Sequence, residues 1–549
     1  MYVRDFKSEF FDVISTERVL VLVNFDVDAV CATKILQYLF KCENILFTLV
    51  PIAGKKDFYS SFKSNIEGIK YVLLINCGGT IDVCDFLDPP DDVVFYVLDN
   101  HRPVDVTNIY NESQVRLLMK LDPEENVPEY DQIFRDDSDS EDENEDYDTE
   151  ASLLKRREKR LWEEERRGIL FKYSRDSYFS TSSAVLLYDL AWRLSRDNND
   201  LLWWAIIGHT ELYLHKKCDD DRYMIDTGNL QNHVARLNNR AEGETVAVDS
   251  MKLVSETELD LYLYRHWSIL ESITHTPYTA AKFKAFTLKG EHKISEFLAD
   301  VGLPLQQCHQ LFHSMEFQFK QDLLKTFTSK SDKYGLDSMT FSSFNCNFGF
   351  RHKYCAGDMV KCVQAVLEHH DKVEDKNLPF LQSLDILARS QSDKLDQSTK
   401  LAKIQLELVV KQVQNILDTK QVIPAGPFLY TIIQEGTPNS QYYCRPTVLT
   451  FLAQFLLQAH VSCSQSKKVT TMPLVLISPL DVSTGVSVVV GIPPVEDKNR
   501  KNFLGKAFEQ AVLNTGTRYL LDYWDSNIIQ IKTEDRTKFL DGLIAIMSR

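Results

Sequence analysis

The chain has 549 residues, a formal net charge of −17, 44% hydrophobic residues and 11 cysteines. This length predicts about three or four domains, and the apolar fraction is enough for ordinary hydrophobic cores. No two cysteines form a Cys-x-x-Cys pair, which disfavours zinc ribbons and dithiol redox sites and suits a reducing compartment. No apolar run reaches the roughly 18 residues of a membrane helix, and the first residues are not apolar, so we expect neither membrane insertion nor secretion.

Most of the negative charge lies in one segment. Residues 131–150 contain 11 Asp or Glu against one Arg, a net charge of −10. Such a segment cannot bury enough apolar surface to offset its chain entropy, so we predict a disordered acidic insert at residues 122–150. Ser138 and Ser140 each precede an acid by three residues, the pattern of an acidophilic kinase site; an unmodified solvated loop is the simpler alternative.

An exposed helix with many charged residues is predicted at residues 151–170, where acids and bases alternate at helical spacing. The basic residues of this helix form a candidate nuclear localisation signal: Lys155, Arg156, Arg157, Lys159 and Arg160. Basic clusters are also common on solvated helices, so both interpretations stay open.

The first 110 residues alternate strand and helix patterns. Apolar runs predict strands at 19–25, 45–52, 71–75, 93–98 and 106–110, and helical spacing predicts a helix at 29–40. Alternation of this kind predicts an α/β fold with a mostly parallel sheet covered on both faces.

The rest of the chain divides into two parts. From Thr181 to about Lys420 the pattern is mainly helical, including an aromatic, amphipathic stretch at 258–273. Residues 426–549 alternate again, with strands predicted at 428–433, 473–477, 486–490 and 528–531. We therefore expect a helical middle followed by a second, smaller α/β domain.

Polar side chains follow three of the predicted N-terminal strands, where each strand ends. They are Asp26, Asp28, Asn76, Asp99, Asn100 and His101. In open α/β sheets this edge binds ligands, and carboxylates with a histidine suit divalent metals and phosphoester chemistry. The asparagines at 76 and 100 do not suit such ions, because an amide brings no charge.

These motifs resemble the DHH phosphoesterase superfamily, which includes RecJ exonucleases. The resemblance rests on Asp26-Val-Asp-Ala29, the glycine-rich Asn76–Gly79 and Asp99-Asn-His101. It implies an N-terminal DHH-type domain and a smaller C-terminal DHH-associated domain. It also implies two manganese ions, with an Asp bridging them at the position of Asn76 and a His at the position of Asn100.

Those departures predict a remnant metal site with no bound metal or cofactor, since two close divalent ions need bridging carboxylates. Without an ion, the gathered carboxylates should repel one another and at least one pKa should rise. Glu211 is a candidate counterpart of a later acidic residue of the superfamily.

Longer strings resemble one family within this superfamily, the cell division cycle protein 45 family of eukaryotic replication factors. They are 202–208, 278–283, 296–304, 426–430 and 500–508. The resemblance implies a nuclear, non-catalytic subunit of the replicative helicase, needed for initiation and elongation of DNA replication. It implies as partners the minichromosome maintenance ring, the GINS complex, replication initiation factors, DNA polymerase and single-stranded DNA.

The same resemblance gives a domain plan. The DHH-like domain would comprise 1–121 and 171–287, followed by a helical insertion contacting the ring at 288–372, linker helices at 373–425 and the DHH-associated domain at 426–549. Candidate DNA contacts are Arg102, Arg351, His352 and Lys353. The rival hypotheses are a residual manganese-dependent single-strand exonuclease or phosphodiesterase of the RecJ type, and a standalone DNA-binding module.

Overall fold

The computed structural model describes residues 1–121, 125–135, 150–241, 251–348, 352–369, 376–389, 391–464, 466–496 and 500–548. The fold is α/β, with an N-terminal parallel sheet, a helical middle and a C-terminal sheet, as predicted. None of the helices described is long and apolar enough to span a membrane.

The N-terminal sheet is formed by short, apolar strands, and its three central strands are buried along almost their whole length. They are β1 (Val19–Asn24), β2 (Phe47–Ile52), β3 (Tyr71–Ile75), β4 (Val94–Leu98) and β6 (Val115–Leu117). The strand order is β2-β1-β3-β4-β6, and all neighbours are parallel. The short strands β5 (His101–Arg102) and β7 (Tyr178–Phe179) pair separately.

Helices alternate with these strands and continue after them. They are α1 (Asp12–Ile14), α2 (Val27–Glu43), α3 (Lys55–Asn65), α4 (Val83–Leu87), α5 (Val106–Tyr110), α6 (Tyr130–Ile133), α7 (Glu150–Ser174), α8 (Ser183–Arg193), α9 (Asn199–Leu214) and α10 (Asp220–Ala241). Two of them, α2 and α9, are apolar along most of their length and pack against each other inside the domain.

The middle of the chain contains helices and a small sheet. The helices are α11 (Ile269–His275), α12 (Pro277–Phe283), α13 (Leu288–Asp300), α14 (Leu305–His309), α15 (Phe317–Ser331), α16 (Ala356–Leu367), α17 (Leu378–Ile386) and α18 (Ser392–Asp418). The sheet is antiparallel, with β8 (Lys252–Leu259), β9 (Thr340–Phe348) and β10 (His352–Cys355) in the order β10-β9-β8.

Residues 259–339 have a hydrophobic core of their own, separate from the main core, and we call this region the satellite core. It contains α11 to α15. Its large buried residues include Phe283, Phe297 and Phe327. The predicted insertion, 288–372, has different boundaries, because β9, β10 and α16 pack into the main core.

The C-terminal sheet is mixed and has six strands. They are β11 (Ile423–Pro424), β12 (Leu429–Ile432), β13 (Leu474–Asp481), β14 (Val486–Ile492), β15 (Tyr519–Leu520) and β16 (Ile528–Lys532), in the order β11-β12-β13-β14-β16-β15. Its inner face joins the main core together with α19 (Pro446–Cys463). Its outer face packs against α20 (Leu504–Thr515) and α21 (Arg536–Met547).

Two local predictions are wrong. Residues 106–110 form α5 and not a strand, because Asp105 caps this turn by accepting a hydrogen bond from the Thr107 N–H at 2.9 Å. The predicted helix at 258–273 begins only at Ile269. The first two residues of this stretch, 258 and 259, are instead the end of β8. This strand pairs with β9, with Lys252 opposite Asn347 and Leu259 opposite Thr340.

The predicted disorder at 122–150 is wrong for residues 125–135. Glu125 is buried and accepts hydrogen bonds from the Val104 N–H and the Tyr173 hydroxyl, both at 2.9 Å. The other residues of that prediction, including Ser138 and Ser140, lie outside the described residues apart from Glu150, which begins α7.

Candidate functional site

The polar residues at the ends of β1, β3 and β4 do meet, beside the point where strand order reverses between β1 and β3. We call Asp26, Asp28, Asn76, Asp99, Asn100 and His101 the strand-end cluster. Asp26 is the N-cap of α2, since its side chain accepts a hydrogen bond from the Ala29 N–H at 2.6 Å. Asp28 follows in the first helical turn and is fully buried.

Asp28 accepts hydrogen bonds from five donors. Two are side-chain amides, Asn76 Nδ2 at 3.1 Å and Asn100 Nδ2 at 2.9 Å. The other three come from the start of α8: Ser182 Oγ at 2.5 Å, the Ser183 N–H at 2.9 Å and the Ala184 N–H at 3.1 Å. Both oxygens of this buried carboxylate are therefore occupied by protein donors.

Asn76 joins the two acids that follow β1. Its Nδ2 donates to Asp26 Oδ1 at 3.0 Å as well as to Asp28, and its Oδ1 accepts from Ser183 Oγ at 2.5 Å. Its backbone is in the left-handed region (φ 51°), which asparagine tolerates better than most residues. The amide therefore donates its hydrogens where the DHH pattern expects a metal-bridging carboxylate.

Close packing of α9 supports this arrangement. A Cβ on Gly208 would lie 2.6 Å from Asp28 Oδ1 and 2.9 Å from the Ala184 Cβ. Only glycine lets α9 approach both the carboxylate and the first turn of α8 so closely.

Asp99 and His101 form an ion pair that reaches the C-terminal domain. His101 Nδ1 lies 2.6 Å from Asp99 Oδ1, and His101 Nε2 lies 3.4 Å from Asp525 Oδ1. Burial alone would lower the pKa of His101, but the two carboxylates raise it to about 10. In turn, and against the effect of burial, His101 holds the pKa of both Asp99 and Asp525 below their ordinary values. The histidine is thus a cation with a carboxylate on each side.

A second cation lies beside the cluster. Lys217 Nζ is 3.0 Å from Glu211 Oε1 and lies in the electrostatic field of Asp525 and Asp26. These carboxylates outweigh burial and raise the pKa of Lys217. Glu211, the candidate counterpart of a later acidic residue of the DHH superfamily, is buried and contacts the Lys217 ammonium group.

The predicted rise in a carboxyl pKa is confirmed, with a different main cause. The pKa of Asp26 is raised to about 7, first by burial and then by Asp28 and Glu211, although Lys217 opposes the rise. Burial also raises the pKa of Glu211. Desolvation, more than repulsion between carboxylates, disfavours the charged form here.

The residues present do not fit a pair of divalent ions. An ion needs free oxygen lone pairs directed at a common point, but the oxygens of Asp28 and the Oδ1 of Asp26 already accept N–H and O–H donors. Asn76 directs hydrogens into this space. Within the described part of the chain, no group of three or more His, Cys, Asp or Glu is arranged to hold a metal ion.

A cavity of about 320 Å³ lies next to the cluster, between the N-terminal and C-terminal α/β regions. Its walls carry more positive than negative side chains. The cations include Lys55, Lys216, Lys217, Arg500 and Lys506, the acids are Glu509 and Asp525, and the aromatic residues are Tyr178, Phe179, Tyr523 and Trp524.

Of the predicted DNA contacts, Arg102 and Lys353 are described, and they lie on strands of different sheets, β5 and β10. Arg102 is among the residues that line the cavity, but its side chain is buried and its guanidinium donates to the carbonyls of Asp99 and His101. Lys353 lies on β10 and pairs with Glu256 at 2.8 Å. Arg351 and the side chain of His352 lie outside the described residues.

The candidate nuclear localisation signal is found on α7. Arg156, Arg157, Lys159 and Arg160 are exposed, and the side chain of Lys155 is not described. Exposure is consistent with both interpretations of this cluster.

Sequence reasoning missed four partners of the cluster. Ser182 and Ser183 were recognisable only as helix caps, a role that Ser182 also has, since its side chain accepts from the Val185 N–H. Lys217 and Asp525 had no local signal, because each reaches the cluster only through the folding of distant segments.

Comparisons with known proteins agree on one family. The CDC45 family model matches residues 19–152 and 124–545. The chain is 42% identical to the human cell division control protein 45 homolog over all of both chains. It is 26% identical to the homolog from Schizosaccharomyces pombe, over 96% of this chain and 95% of the relative. The crystal structure of CDC45 from Entamoeba histolytica has the same fold, with a TM-score of 0.71 over all of both chains at 20% identity.

Proposed function

The chain belongs to the cell division control protein 45 family, and from this premise we propose that it is a non-catalytic subunit of the replicative helicase. Family membership supports a role in DNA replication and the cell cycle. In the proposed role the chain works in the nucleus with the minichromosome maintenance ring and the GINS complex, in initiation and in elongation. Replication initiation factors and DNA polymerase are further proposed partners.

The observation that supports a non-catalytic role is the bonding of Asp28. Five protein donors occupy this carboxylate, and two of them are the amides of Asn76 and Asn100. Two-metal hydrolysis requires carboxylates that hold both ions near the attacking and leaving oxygens. A carboxylate whose oxygens already accept hydrogen bonds from side-chain amides, a hydroxyl and backbone N–H groups stabilises the fold instead.

The surface proposed to meet the helicase ring is the satellite core. Leu288 and Phe317 are 77% and 70% exposed there, and Leu305 and Leu311 are also exposed. Large apolar side chains in solvent on a compact helical region favour a protein partner.

A direct test separates this proposal from its rival. Purified protein is incubated with manganese and end-labelled single-stranded DNA, with the Asp26→Ala variant as the control. We expect no cleavage by either protein. Cleavage by the wild type that the variant lacks would overturn the non-catalytic role.

The partnership needs a separate test. The tagged full-length protein is used to capture partners from a nuclear extract, and the captured proteins are probed for the ring and GINS. Their absence under conditions that preserve replication complexes would contradict the proposed assembly.

A second candidate function, contact with single-stranded DNA, is favoured by the cavity between the α/β regions. Its Lys and Arg side chains and its aromatic residues are the groups that bind a single strand by charge and stacking. We expect the double variant Lys216→Met, Arg500→Met to weaken binding of a labelled oligonucleotide and to reduce its salt dependence. The matched control is Lys394→Met, on α18. Equal binding by both variants would contradict the cavity as the contact.

A further inference from the structure

Lys217 has a fixed position in the loop that follows α9. Its N–H donates to the Leu212 carbonyl at 2.8 Å, and the N–H of Lys216 donates to the Tyr213 carbonyl at 3.0 Å. Lys216 itself has φ 55°, the left-handed residue that commonly ends a helix. The helix end therefore determines where the Lys217 side chain begins, and the side chain extends toward the strand-end cluster.

The surroundings of this side chain contain more acids than bases. Lys217 Nζ lies 3.0 Å from Glu211, and Asp525 lines the same cavity as Lys217. The fields of Asp525 and Asp26 also act on the ammonium. His101 compensates Asp99 and part of Asp525. Buried carboxylates are costly unless a cation or hydrogen-bond donors compensate them. For Glu211 the compensating cation is Lys217, which lies 3.0 Å from Oε1. The other oxygen of Glu211, Oε2, has no hydrogen-bond partner within the described residues.

Lys217 and His101 interact with carboxylates that come from different parts of the fold. Lys217 and Glu211 belong to the α9 region, Asp26 to the N-terminal sheet and Asp525 to the C-terminal domain. Other contacts run along this boundary: Ser177 and Asn502 exchange backbone hydrogen bonds at 2.9 and 2.8 Å. The rings of Phe58 and Trp524 meet edge to face at 5.3 Å. Asp525 thus lies next to a closely packed boundary; it pairs with His101 at 3.4 Å and lines the same cavity as Lys217.

We propose that Lys217 supplies the positive charge that metal ions supply in metal-dependent relatives of this fold, and that it thereby holds the C-terminal domain against the strand-end cluster. This proposal rests on the proposed absence of a bound ion. The alternative is an ordinary ion pair between Lys217 and Glu211, with no effect across the domain boundary. Since Glu211 is buried, loss of a purely local pair would also lower stability, so the two alternatives differ in hydrogen exchange of the segment that carries Asp525.

The test uses full-length protein and hydrogen exchange of residues 519–528, the segment that carries Asp525. The variant is Lys217→Met, which keeps the aliphatic stem and removes the charge. The neighbouring Lys216→Met is the matched control, and Lys217→Arg should restore the charge. We expect faster exchange of this segment in Lys217→Met, wild-type exchange in Lys217→Arg and in the control, and a melting temperature about 2 °C or more lower only in Lys217→Met.

A double variant tests the connection to Asp525. If Lys217 acts across the boundary, Lys217→Met and Asp525→Asn together should speed exchange by less than the product of their separate effects. Independent effects, or unchanged exchange at 519–528 in Lys217→Met, would overturn the proposal. If Lys217→Met does not fold, Lys217→Gln replaces it. If neither neutral variant folds and Lys217→Arg does, the positive charge at this position is required for folding.

A separate experiment tests whether the site binds a metal ion. Manganese is added to the wild-type protein and its melting temperature is measured. A rise that Asp26→Ala abolishes would overturn the premise of a metal-free site, and with it this inference. No rise, together with unchanged exchange in Lys217→Met, would overturn the inference and leave the non-catalytic role intact.

Discussion

The strand-end cluster gives each of its charged side chains a partner and buries most of them, whereas the satellite core leaves large apolar side chains in solvent. Asp28 has five donors and His101 lies between two carboxylates. Phe317 is 70% exposed and Leu288 is 77% exposed. The difference teaches that polar residues at a sheet edge need not be a reaction site. Under the proposed function, these polar residues stabilise the fold and the exposed apolar side chains of the satellite core meet the partner.

The largest effect is expected from Asp28→Ala. The substitution removes the acceptor of five hydrogen bonds and leaves buried amides and a hydroxyl without a partner. We expect the free energy of unfolding to fall by about 3 kcal/mol or more, as judged by urea denaturation. Asp92→Ala, at an exposed loop position, is the control. A loss no larger than that of the control would break the comparison, because the cluster would not then stabilise the fold.

The pH dependence of stability should identify the charge of His101. Its pKa in the folded protein is about 10, above the ordinary value of 6.5. A raised pKa means that the stabilisation is complete below about pH 6.5 and is lost as the pH rises through about 10. We therefore expect the wild type to lose more stability than His101→Gln between pH 7 and pH 10. Parallel curves for the two proteins would show that the histidine is not a cation in the folded state.

Replacement of Phe317 by Ser should affect binding and not stability. Removal of an exposed apolar side chain changes the free energy of unfolding by less than about 0.5 kcal/mol. If the satellite core contacts the helicase ring, affinity for the purified ring should fall about tenfold. The control is Val482→Ser, which removes a residue of similar exposure (61%) from the C-terminal domain. Equal binding by both variants would place the partner surface elsewhere.

The smallest effect is expected from Lys353→Met. Lys353 and Glu256 form a pair at 2.8 Å in which both side chains are about 40% exposed (39% and 41%). Such pairs contribute about 0.5 kcal/mol or less, so thermal unfolding should change little. Oligonucleotide binding by the same variant is the second measurement. A large loss of affinity would support Lys353 as a DNA contact.

The sequence alone determined the α/β character of both ends of the chain and the residues at the strand ends. Short apolar runs bounded by polar residues have few alternatives to buried strands, and parallel strands bring their carboxyl ends to one edge. Asn76 and Asn100 were readable as a departure from a metal site because charge is a property of the residue type. The family resemblance was also contained in the sequence and is confirmed.

Only the tertiary structure decided what those residues do. Residues 252–259 form a strand because they pair with residues 340–347, about 90 positions away, and a local pattern cannot report such a partner. Likewise, the donors to Asp28 come from α8 and the cation beside Glu211 comes from the loop after α9. Hydrogen bonds and ion pairs depend on distances of about 3 Å between segments far apart in the chain. The sequence could therefore name the acids, and only the fold could show that protein groups satisfy them.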